Sequence, residues 1–307
     1  EMSGNHNQSL DRAIKIVEAA AESGAHMLKL QTYTADTLTI NSKISDFFIA
    51  DEKSLWKGKT LYDLYKEAYT PWDWHEKIIN RANELGMLCF SSPFDETAVD
   101  FLEKLNVPAY KIASFENIHL PLIKKVAQTG KPVIISTGLA TEKEIKEAVD
   151  TLKTGGCNQF ALLKTTSTYP ASPKDSNILT IPELRKNFNC EVGLSDHTMG
   201  IGAALAAISH GATIIEKHFT LDRNDGGVDS SFSIEPQEMK VLVKESIQAW
   251  QALGKISYGP TESEKSGIKF RRSIYIVEDI DLGEKITKEK IRIIRPGKGL
   301  APKYYDE

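Results

Sequence analysis

Short apolar segments alternate with amphipathic segments of helical length along most of the chain. This alternation is typical of repeated β-α units around a parallel sheet. The runs that predict strands are residues 26–31, 87–91, 109–113, 132–136, 160–165, 191–194 and 213–216. Residues 1–2 would be the end of an eighth strand, and its helix would begin at Ser9 and end before Gly24. The pattern therefore predicts an α/β fold, a (β/α)8 TIM barrel.

Two segments depart from the repeat. Residues 39–70 form an insertion rich in aromatic and charged side chains, and we expect it over the active face because it follows a strand. Residues 255–267 are rich in Gly, Ser and charge, which predicts a linker between a barrel over 1–254 and a small unit over 268–307. Within that unit, 272–277 and 290–294 are predicted to be short strands. We interpret both ends of the chain as truncated.

Composition narrows the function classes. A length of 307 residues suits one barrel of roughly 250 residues and a small appendage. The net charge of -4, with scattered lysines, argues against nucleic-acid binding, and no apolar run approaches the ~20 residues of a membrane span. The cysteines Cys89, Cys157 and Cys190 are far apart and show no CxxC spacing. A cytoplasmic location is expected.

Polar, reactive residues follow the apolar part of nearly every predicted strand. In a β/α barrel the carboxyl ends of the strands build the active site, so these residues predict one convergent pocket. They are Lys29 and Gln31, Ser91 and Ser92, Lys111, Ser114 and Glu116, Ser136, Ser167 and Tyr169, Ser195, Asp196 and His197, and Glu216 and His218. The alternative for any one serine is that it caps a strand and meets solvent.

Lys29 and Lys111 alternate with apolar neighbours, so both ammonium groups can point into the barrel mouth. A buried ammonium group needs an anion. With the hydroxyls of Ser92, Ser114, Ser136 and Ser167 nearby, the pair would suit a phosphate or a phosphate and a carboxylate together. A salt bridge to a structural Asp or Glu is the open alternative. The sequence has no GxxxxGK[ST] or GxGxxG motif, so side chains must carry the anion.

His197 and His218 stand at the ends of two successive predicted strands. Neighbouring strand ends would let two imidazoles share a divalent ion, with water, substrate oxygens or a carboxylate as further ligands. Asp196 or Glu216 would support the histidines or bind the ion directly. The alternative is that each histidine is an ordinary core residue with its hydrogen bonds satisfied.

The motifs at these positions resemble those of the sialic acid synthase family, the phosphoenolpyruvate-dependent nonulosonate synthases. They are EMSGNH at 1–6, KLQTY at 29–33, FSSPF at 90–94, YKIASFE at 110–116, STG at 136–138, TSTYP at 166–170, GLSDHT at 193–198, EKHF at 216–219 and IRPG at 294–297. The last motif resembles the family's C-terminal antifreeze-like (SAF) domain. The resemblance covers essentially the whole chain.

The resemblance implies a reaction. The family joins C3 of phosphoenolpyruvate to the open-chain aldehyde of a sugar and releases phosphate. Segments 31–39, 55–56, 61–65, 70–75 and 113–116 resemble the pseudaminic branch, whose sugar is 2,4-diacetamido-2,4,6-trideoxy-L-altrose. Other branches usually carry a smaller residue in place of Phe115. The chain is therefore expected to be a metal-dependent transferase.

The resemblance also implies roles for single residues. The residues expected around phosphoenolpyruvate are Lys29, Ser92, Lys111, Ser114, Ser136, Ser167 and Ser195. Some members of the family carry asparagine in place of Ser167. The residues expected to bind a metal, which would be Mn2+, Mg2+ or Co2+, are His197 and His218. The residues expected to contact the sugar and the attacking water are Glu1, Gln31, Glu116 and Tyr169. In the family an arginine of one protomer reaches the active site of its partner. Arg295 matches it, which implies a domain-swapped homodimer.

Three other functions stay open. The substrate would be a mannose-type amino sugar if the chain were an N-acetylneuraminate or legionaminate synthase. A metal-dependent aldolase would use pyruvate in place of phosphoenolpyruvate, but the two lysines would then lack their phosphate. A non-catalytic carbohydrate-binding protein would have no need for both histidines, both lysines and Glu116. Glu116 itself would either act on the water or simply hydrogen-bond a sugar hydroxyl.

Overall fold

The computed structural model describes residues 1–52 and 54–307. By contacts between residues the chain divides into two units, Glu1–Leu253 and Gly254–Glu307. The division falls one residue before the predicted end of the barrel. Among the described residues, no helix combines the length and the apolar character that a membrane span requires.

A parallel sheet forms the centre of the first unit. In the part that the structure describes it has seven strands, which pair in the order of the sequence. They are β1 (Met27–Thr32), β2 (Leu88–Pro93), β3 (Tyr110–Ile112), β4 (Val133–Ser136), β5 (Phe160–Thr165), β6 (Glu191–Asp196) and β7 (Ile214–Lys217). All seven overlap the predicted strands, so the strand prediction is confirmed.

The first two residues connect the two edges of this sheet. The backbone nitrogen of Glu1 donates to the Lys217 carbonyl at 2.7 Å, and the Glu1 carbonyl accepts from the Phe219 amide at 2.8 Å. On the other side, the Met2 amide donates to the Lys29 carbonyl at 3.1 Å. Residues 1–2 thus occupy the place of the predicted eighth strand between β7 and β1. The unit has a TIM-barrel-like α/β fold.

Helices follow the strands and bury their apolar faces against the sheet. They are α1 (Leu10–Glu22), α2 (Ala35–Leu38), α3 (Leu61–Ala68), α4 (His75–Glu84), α5 (Glu96–Lys104), α6 (Leu120–Ala127), α7 (Glu142–Thr154), α8 (Thr180–Phe188), α9 (Gly202–Ser209) and α10 (Pro236–Leu253). Ser9 caps α1 as predicted, because its side chain accepts from the Arg12 amide. Leu28 and Leu30 of β1 belong to the same buried cluster as Ile16 of α1.

The predicted insertion has its own local structure. It begins just after α2, passes through a 3-10 turn at Ser45–Phe47 and contains α3. A second 3-10 turn at Trp72–Trp74 then leads into α4, which resumes the repeat.

The second unit contains a small antiparallel sheet among its described residues. Strands β8 (Ser273–Ile276) and β9 (Ile291–Ile294) pair antiparallel, within the segments predicted as strands. The segment predicted as a linker falls inside this unit, and a 3-10 helix at Glu262–Phe270 includes its second half.

Candidate active site

A cavity of about 360 Å³ lies at the carboxyl ends of the barrel strands. That volume suits a small molecule. Among the predicted site residues, those that line it are Glu1, Lys29, Gln31, Lys111, Ser114, Glu116, Ser136, Tyr169, His197, Glu216 and His218. Three others are one layer removed: Ser92 pairs with Gln31 in the sheet, Ser167 lies against Gly138 beside Ser114, and Ser195 hydrogen-bonds to Glu216. Most of the site residues predicted in the first unit therefore meet at one cavity.

Two lysines and two glutamates form a buried ion network on the floor of the cavity. The Lys29 ammonium lies 2.6 Å from the Glu1 carboxylate and 3.1 Å from Glu216, and Lys111 donates to both Glu216 oxygens at 2.7 and 2.6 Å. The Ser195 hydroxyl donates to Glu216 at 2.9 Å. In this structure the alternative left open by the sequence, a salt bridge to a glutamate, therefore holds for both lysines.

The network shifts the pKa of each member. Burial, together with the neighbouring Lys29, lowers the pKa of Lys111 to about 8, although Glu216 opposes that shift. Burial alone would lower the pKa of Lys29, but Glu1 and Glu216 raise it above its usual value. Burial alone would raise the pKa of Glu216, yet Lys111 and Lys29 hold it well below the usual range. Lys111 is therefore the member whose charge changes nearest to neutral pH.

Two buried serine hydroxyls behind the cavity lining have no partner, and one of them lies close to the backbone at Gly138. The Ser92 and Ser167 hydroxyl oxygens are buried and have no hydrogen-bond partner in the described part of the chain. A Cβ atom on Gly138 would lie 2.3 Å from the Ser167 oxygen and 2.6 Å from the Ser114 oxygen. Buried polar atoms without partners are rare in folded proteins. The Ser92 and Ser167 hydroxyls are therefore free to donate, although neither residue lines the cavity.

His197 and His218 face each other, with ring centroids 5.3 Å apart. The His197 Nδ1 lies 2.8 Å from the Thr166 carbonyl oxygen, which can only accept, so Nδ1 carries the hydrogen and Nε2 keeps its lone pair. The Tyr169 ring packs 4.5 Å from the His197 ring. A hydrogen bond from Nδ1 to a backbone carbonyl is the usual way in which a ligand histidine is held.

Two carboxylates approach the second histidine. The His218 Nε2 lies 3.3 Å from a Glu1 oxygen, and its Nδ1 lies 3.5 Å from Asp229. That Nδ1 is buried and makes no hydrogen bond with any described residue. Two facing imidazoles and an unsatisfied nitrogen beside carboxylates fit a divalent cation. Across the described residues, however, no three His, Cys, Asp or Glu side chains form a ready-made ligand set. Such a cation would need water or substrate oxygens to complete its coordination.

Glu116 occupies a different environment from the other glutamates. It lines the cavity without a cationic partner among the described residues, and its Oε2 is buried without a hydrogen bond. Burial raises the pKa of Glu116 to about 7. A carboxyl group with a pKa close to neutral can both accept and donate a proton at physiological pH. Gln31, in contrast, donates its amide hydrogen to Glu1 at 2.5 Å and thereby orients that carboxylate.

Asp196 does not belong to the site. Its carboxylate is buried against Lys217 at 2.9 Å and accepts from the Thr198 amide at 2.9 Å. The prediction that Asp196 supports or binds a metal is therefore wrong, because strand alternation turns it away from the cavity. Glu216 does face the cavity, but it contacts the two lysines rather than a histidine. Arg295 lies in the second unit, exposed just beyond β9.

One feature of the site was missed in the sequence. Asp229 approaches His218 and accepts from the Ser3 hydroxyl, but it lies in a loop well beyond β7. The only signal for it was its position on a loop that follows a barrel strand. The insertion lies at the active face as expected, since it supplies apolar lining, and its Trp56 is anchored by a hydrogen bond from Nε1 to the Val228 carbonyl at 2.8 Å.

Known proteins resemble this chain in sequence and in fold. Residues 16–258 match the model of the NeuB family. Pseudaminic acid synthase of Campylobacter jejuni is 43% identical over 307 residues, which cover 100% of the chain and 89% of that protein. N,N'-diacetyllegionaminic acid synthase of Legionella pneumophila is 38% identical over 303 residues, with 97% of the chain and 85% of that protein covered.

A solved structure extends the comparison to three dimensions. The N-acetylneuraminic acid (sialic acid) synthetase from Leptospira borgpetersenii serovar Hardjo-bovis, in complex with citrate, has a TM-score of 0.76 and 31% identity. The match covers 87% of this chain and 88% of that one. The barrel is therefore shared with a synthase of a related sugar acid.

Proposed function

This chain belongs to the NeuB family, and we propose that it condenses phosphoenolpyruvate with 2,4-diacetamido-2,4,6-trideoxy-L-altrose to give pseudaminic acid and phosphate. It is a transferase of the condensing-synthase type. The observation that carries the proposal is the meeting of Lys29, Lys111, Ser114, Ser136 and the histidine pair at one cavity. The similarity to pseudaminic acid synthase supports the choice of sugar over the legionaminate and N-acetylneuraminate alternatives.

The lysines and serines would bind the phosphorylated enol. Each ammonium group has three donors, so Lys29 and Lys111 can contact substrate oxygens while they keep their glutamate partners. Ser114, Ser136 and the unpaired Ser92 and Ser167 hydroxyls would donate to the phosphate and carboxylate oxygens. The Ser195 hydroxyl is already directed to Glu216, so we place it in support of the network.

His197 and His218 would hold a divalent metal such as Mn2+, Mg2+ or Co2+. When bound, that ion would make the sugar aldehyde more electrophilic and offset the negative charge that develops on its oxygen. The two lysines and two glutamates of the network have charges that cancel. An additional positive charge would therefore favour the binding of a polyanionic substrate.

The remaining steps fall to carboxylates of the cavity. C3 of phosphoenolpyruvate forms the new bond to the aldehyde carbon, whose oxygen takes up a proton and becomes a hydroxyl. Water then adds to C2 and gives up both its protons: one replaces the proton that the aldehyde oxygen took up, and the other leaves with phosphate as the C2–O bond to phosphate breaks. The products are a 2-keto acid and phosphate. Glu116 would take the proton of that water, because its pKa of about 7 suits the transfer. Glu1, Gln31 and Tyr169 would position the sugar and the water.

We also propose that the second unit is an antifreeze-like domain. Its exposed Arg295 would reach the sugar site of a partner protomer in a domain-swapped homodimer. We also place the enzyme in the cytoplasm, on the grounds of its three widely separated cysteines.

A phosphate-release assay tests the function. We expect release from phosphoenolpyruvate only when the altrose-type sugar and a divalent metal are both present. Release with N-acetylmannosamine in place of that sugar would identify an N-acetylneuraminate synthase, and product from pyruvate alone would identify an aldolase. Sugar binding by calorimetry without metal or turnover would identify a non-catalytic carbohydrate-binding protein.

A further inference from the structure

The two histidines of the site each follow the last paired residue of a strand. The register between β6 and β7 ends with the pair Asp196 and Lys217. His197 and His218 are the next residues along the two segments. The paired register therefore stops just before the two residues whose spacing decides whether both rings can reach one ion, and such spacing must be held closely for a metal site to bind.

The backbone of each histidine is held by a different loop. The carbonyl of His197 accepts from the Ala171 amide at 2.9 Å, in the loop after β5. The carbonyl of His218 accepts from the Ile234 amide at 2.8 Å, in the loop after β7. Because these two contacts belong to different loops, they do not fix the distance between the two rings.

The Lys217 side chain links the two strand ends at this level. It points away from the cavity, and its ammonium group donates to the Asp196 carboxylate at 2.9 Å. The same group donates to the Thr198 carbonyl at 2.7 Å and to the Gly200 carbonyl at 2.9 Å. Only 2% of the Lys217 side chain and 1% of the Asp196 side chain are exposed. All three donors of the ammonium group are thus used, on both sides of His197 in the sequence.

We infer that Lys217 is a positioning residue, which holds His197 at the distance from His218 that a shared divalent metal requires. The inference rests on the proposed function, because it concerns the metal of that site. Lys217 is joined to His218 by a peptide bond, and its side chain grips the backbone before and after His197. Asp196 contacts neither histidine ring, and its part is to balance the charge of the buried ammonium group. Groups that orient a metal ligand in this way typically contribute roughly 10-fold to 100-fold in metal affinity.

Two variants separate positioning from stability. Lys217→Met removes the three contacts and leaves the Asp196 carboxylate buried without its cation, so stability should fall as well. The double variant Asp196→Asn with Lys217→Met also removes the link, but it leaves no unpaired charge, so stability should largely return. The matched control is Glu103→Gln with Lys131→Met. That pair meets at 2.8 Å, but Lys131 precedes β4, at the end of the barrel away from the cavity.

The dissociation constant for Mn2+ is measured by calorimetry without substrates, and the urea midpoint is measured on the same proteins. We expect the Kd for Mn2+ to rise roughly 10-fold to 100-fold in both Lys217 variants and to stay at the wild-type value in the control. The double variant decides the question, because its urea midpoint should recover while its Kd stays high. A wild-type Kd in the double variant would overturn the inference and leave Lys217 with a purely structural role.

Phosphate release by the wild type distinguishes this inference from the proposed function. If the wild type binds Mn2+ but releases no phosphate with any sugar, the proposed function is wrong, and the Kd of the double variant still decides the role of Lys217. If the wild type binds no Mn2+, the inference is overturned together with the metal assignment.

Discussion

The Lys111 ammonium lies 2.7 and 2.6 Å from the two carboxylate oxygens of Glu216, an ion pair that joins β3 to β7 across the mouth of the barrel. Lys29 shares the same carboxylate at 3.1 Å and also contacts Glu1. Both ammonium groups are buried, and they also repel each other. The pKa of Lys111 is accordingly lowered to about 8.

This pKa predicts how substrate affinity depends on pH. Lys111 is charged below about pH 8 and loses its proton above it, so the KM for phosphoenolpyruvate should rise as pH increases from 7 to 9. Glu1, Lys29 and Glu216 face the same ammonium group but keep their charges over this range, since their pKa values are shifted away from it. The Lys111→Arg variant cannot lose its proton and should show a flat profile. A flat profile in the wild type would contradict the assignment.

The titration of Glu116 predicts a second pH dependence, in which activity increases with pH. Burial raises its pKa to about 7, so the carboxylate that would accept a proton from water is formed as pH rises through 7. We expect the wild-type kcat to increase over that range. In the Glu116→Gln variant this increase with pH should be absent, and kcat should be about 10²-fold to 10⁴-fold lower. If Glu116 only hydrogen-bonds a sugar hydroxyl, Glu116→Gln will raise the KM for the sugar and keep the pH profile.

Gly138 leaves room for two of the predicted anion-binding hydroxyls. In Gly138→Ala the new methyl group would collide with the Ser167 and Ser114 oxygens, so both must move. We expect the KM for phosphoenolpyruvate to rise by roughly 10-fold or more, a loss of about one hydrogen bond to a charged group. The control is Gly202→Ala, where a Cβ atom meets nothing within 4 Å. An unchanged KM in Gly138→Ala would mean that the Ser114 and Ser167 hydroxyls do not bind the anion.

The histidine pair is tested by removing one ring. His218→Ala should abolish Mn2+ binding in calorimetry and with it the activity, while the melting temperature stays close to that of the wild type. The matched control is His210→Ala, because His210 lies at the exposed end of α9. Normal turnover in His218→Ala would refute the metal assignment.

Strand alternation predicted much of the fold and the floor of the site. It placed Lys29 and Lys111 at the barrel mouth, because their apolar neighbours must face the helices. It could not identify their partners, since Glu1 and Glu216 come from distant strands that meet only when the barrel closes. Asp229 lies on an irregular segment, which carries no periodicity to predict its direction.

Strand alternation also determines the direction of the Asp196 side chain. Ser195 contacts Glu216 inside the barrel, so the next residue on β6 must point to the other side of the strand. Lys217 follows Glu216 on β7 in the same way, and the two outward residues pair at 2.9 Å. Alternation alone would therefore have removed Asp196 from the metal site and predicted this ion pair.

The outward pair also predicts a stability difference between buried and exposed charges. Asp196→Ala leaves the Lys217 ammonium buried with only the Thr198 and Gly200 carbonyls as partners, so we expect a loss of about 3–5 kcal/mol in the free energy of unfolding. Asp150 makes a comparable 2.6 Å contact with Lys146, but both side chains are more than half exposed. Asp150→Ala should therefore cost less than ~1 kcal/mol. Urea denaturation of both variants measures the difference. Equal losses of free energy in the two variants would mean that the Thr198 and Gly200 carbonyls alone stabilise the Lys217 ammonium. Asp196 would then contribute no more than a surface carboxylate.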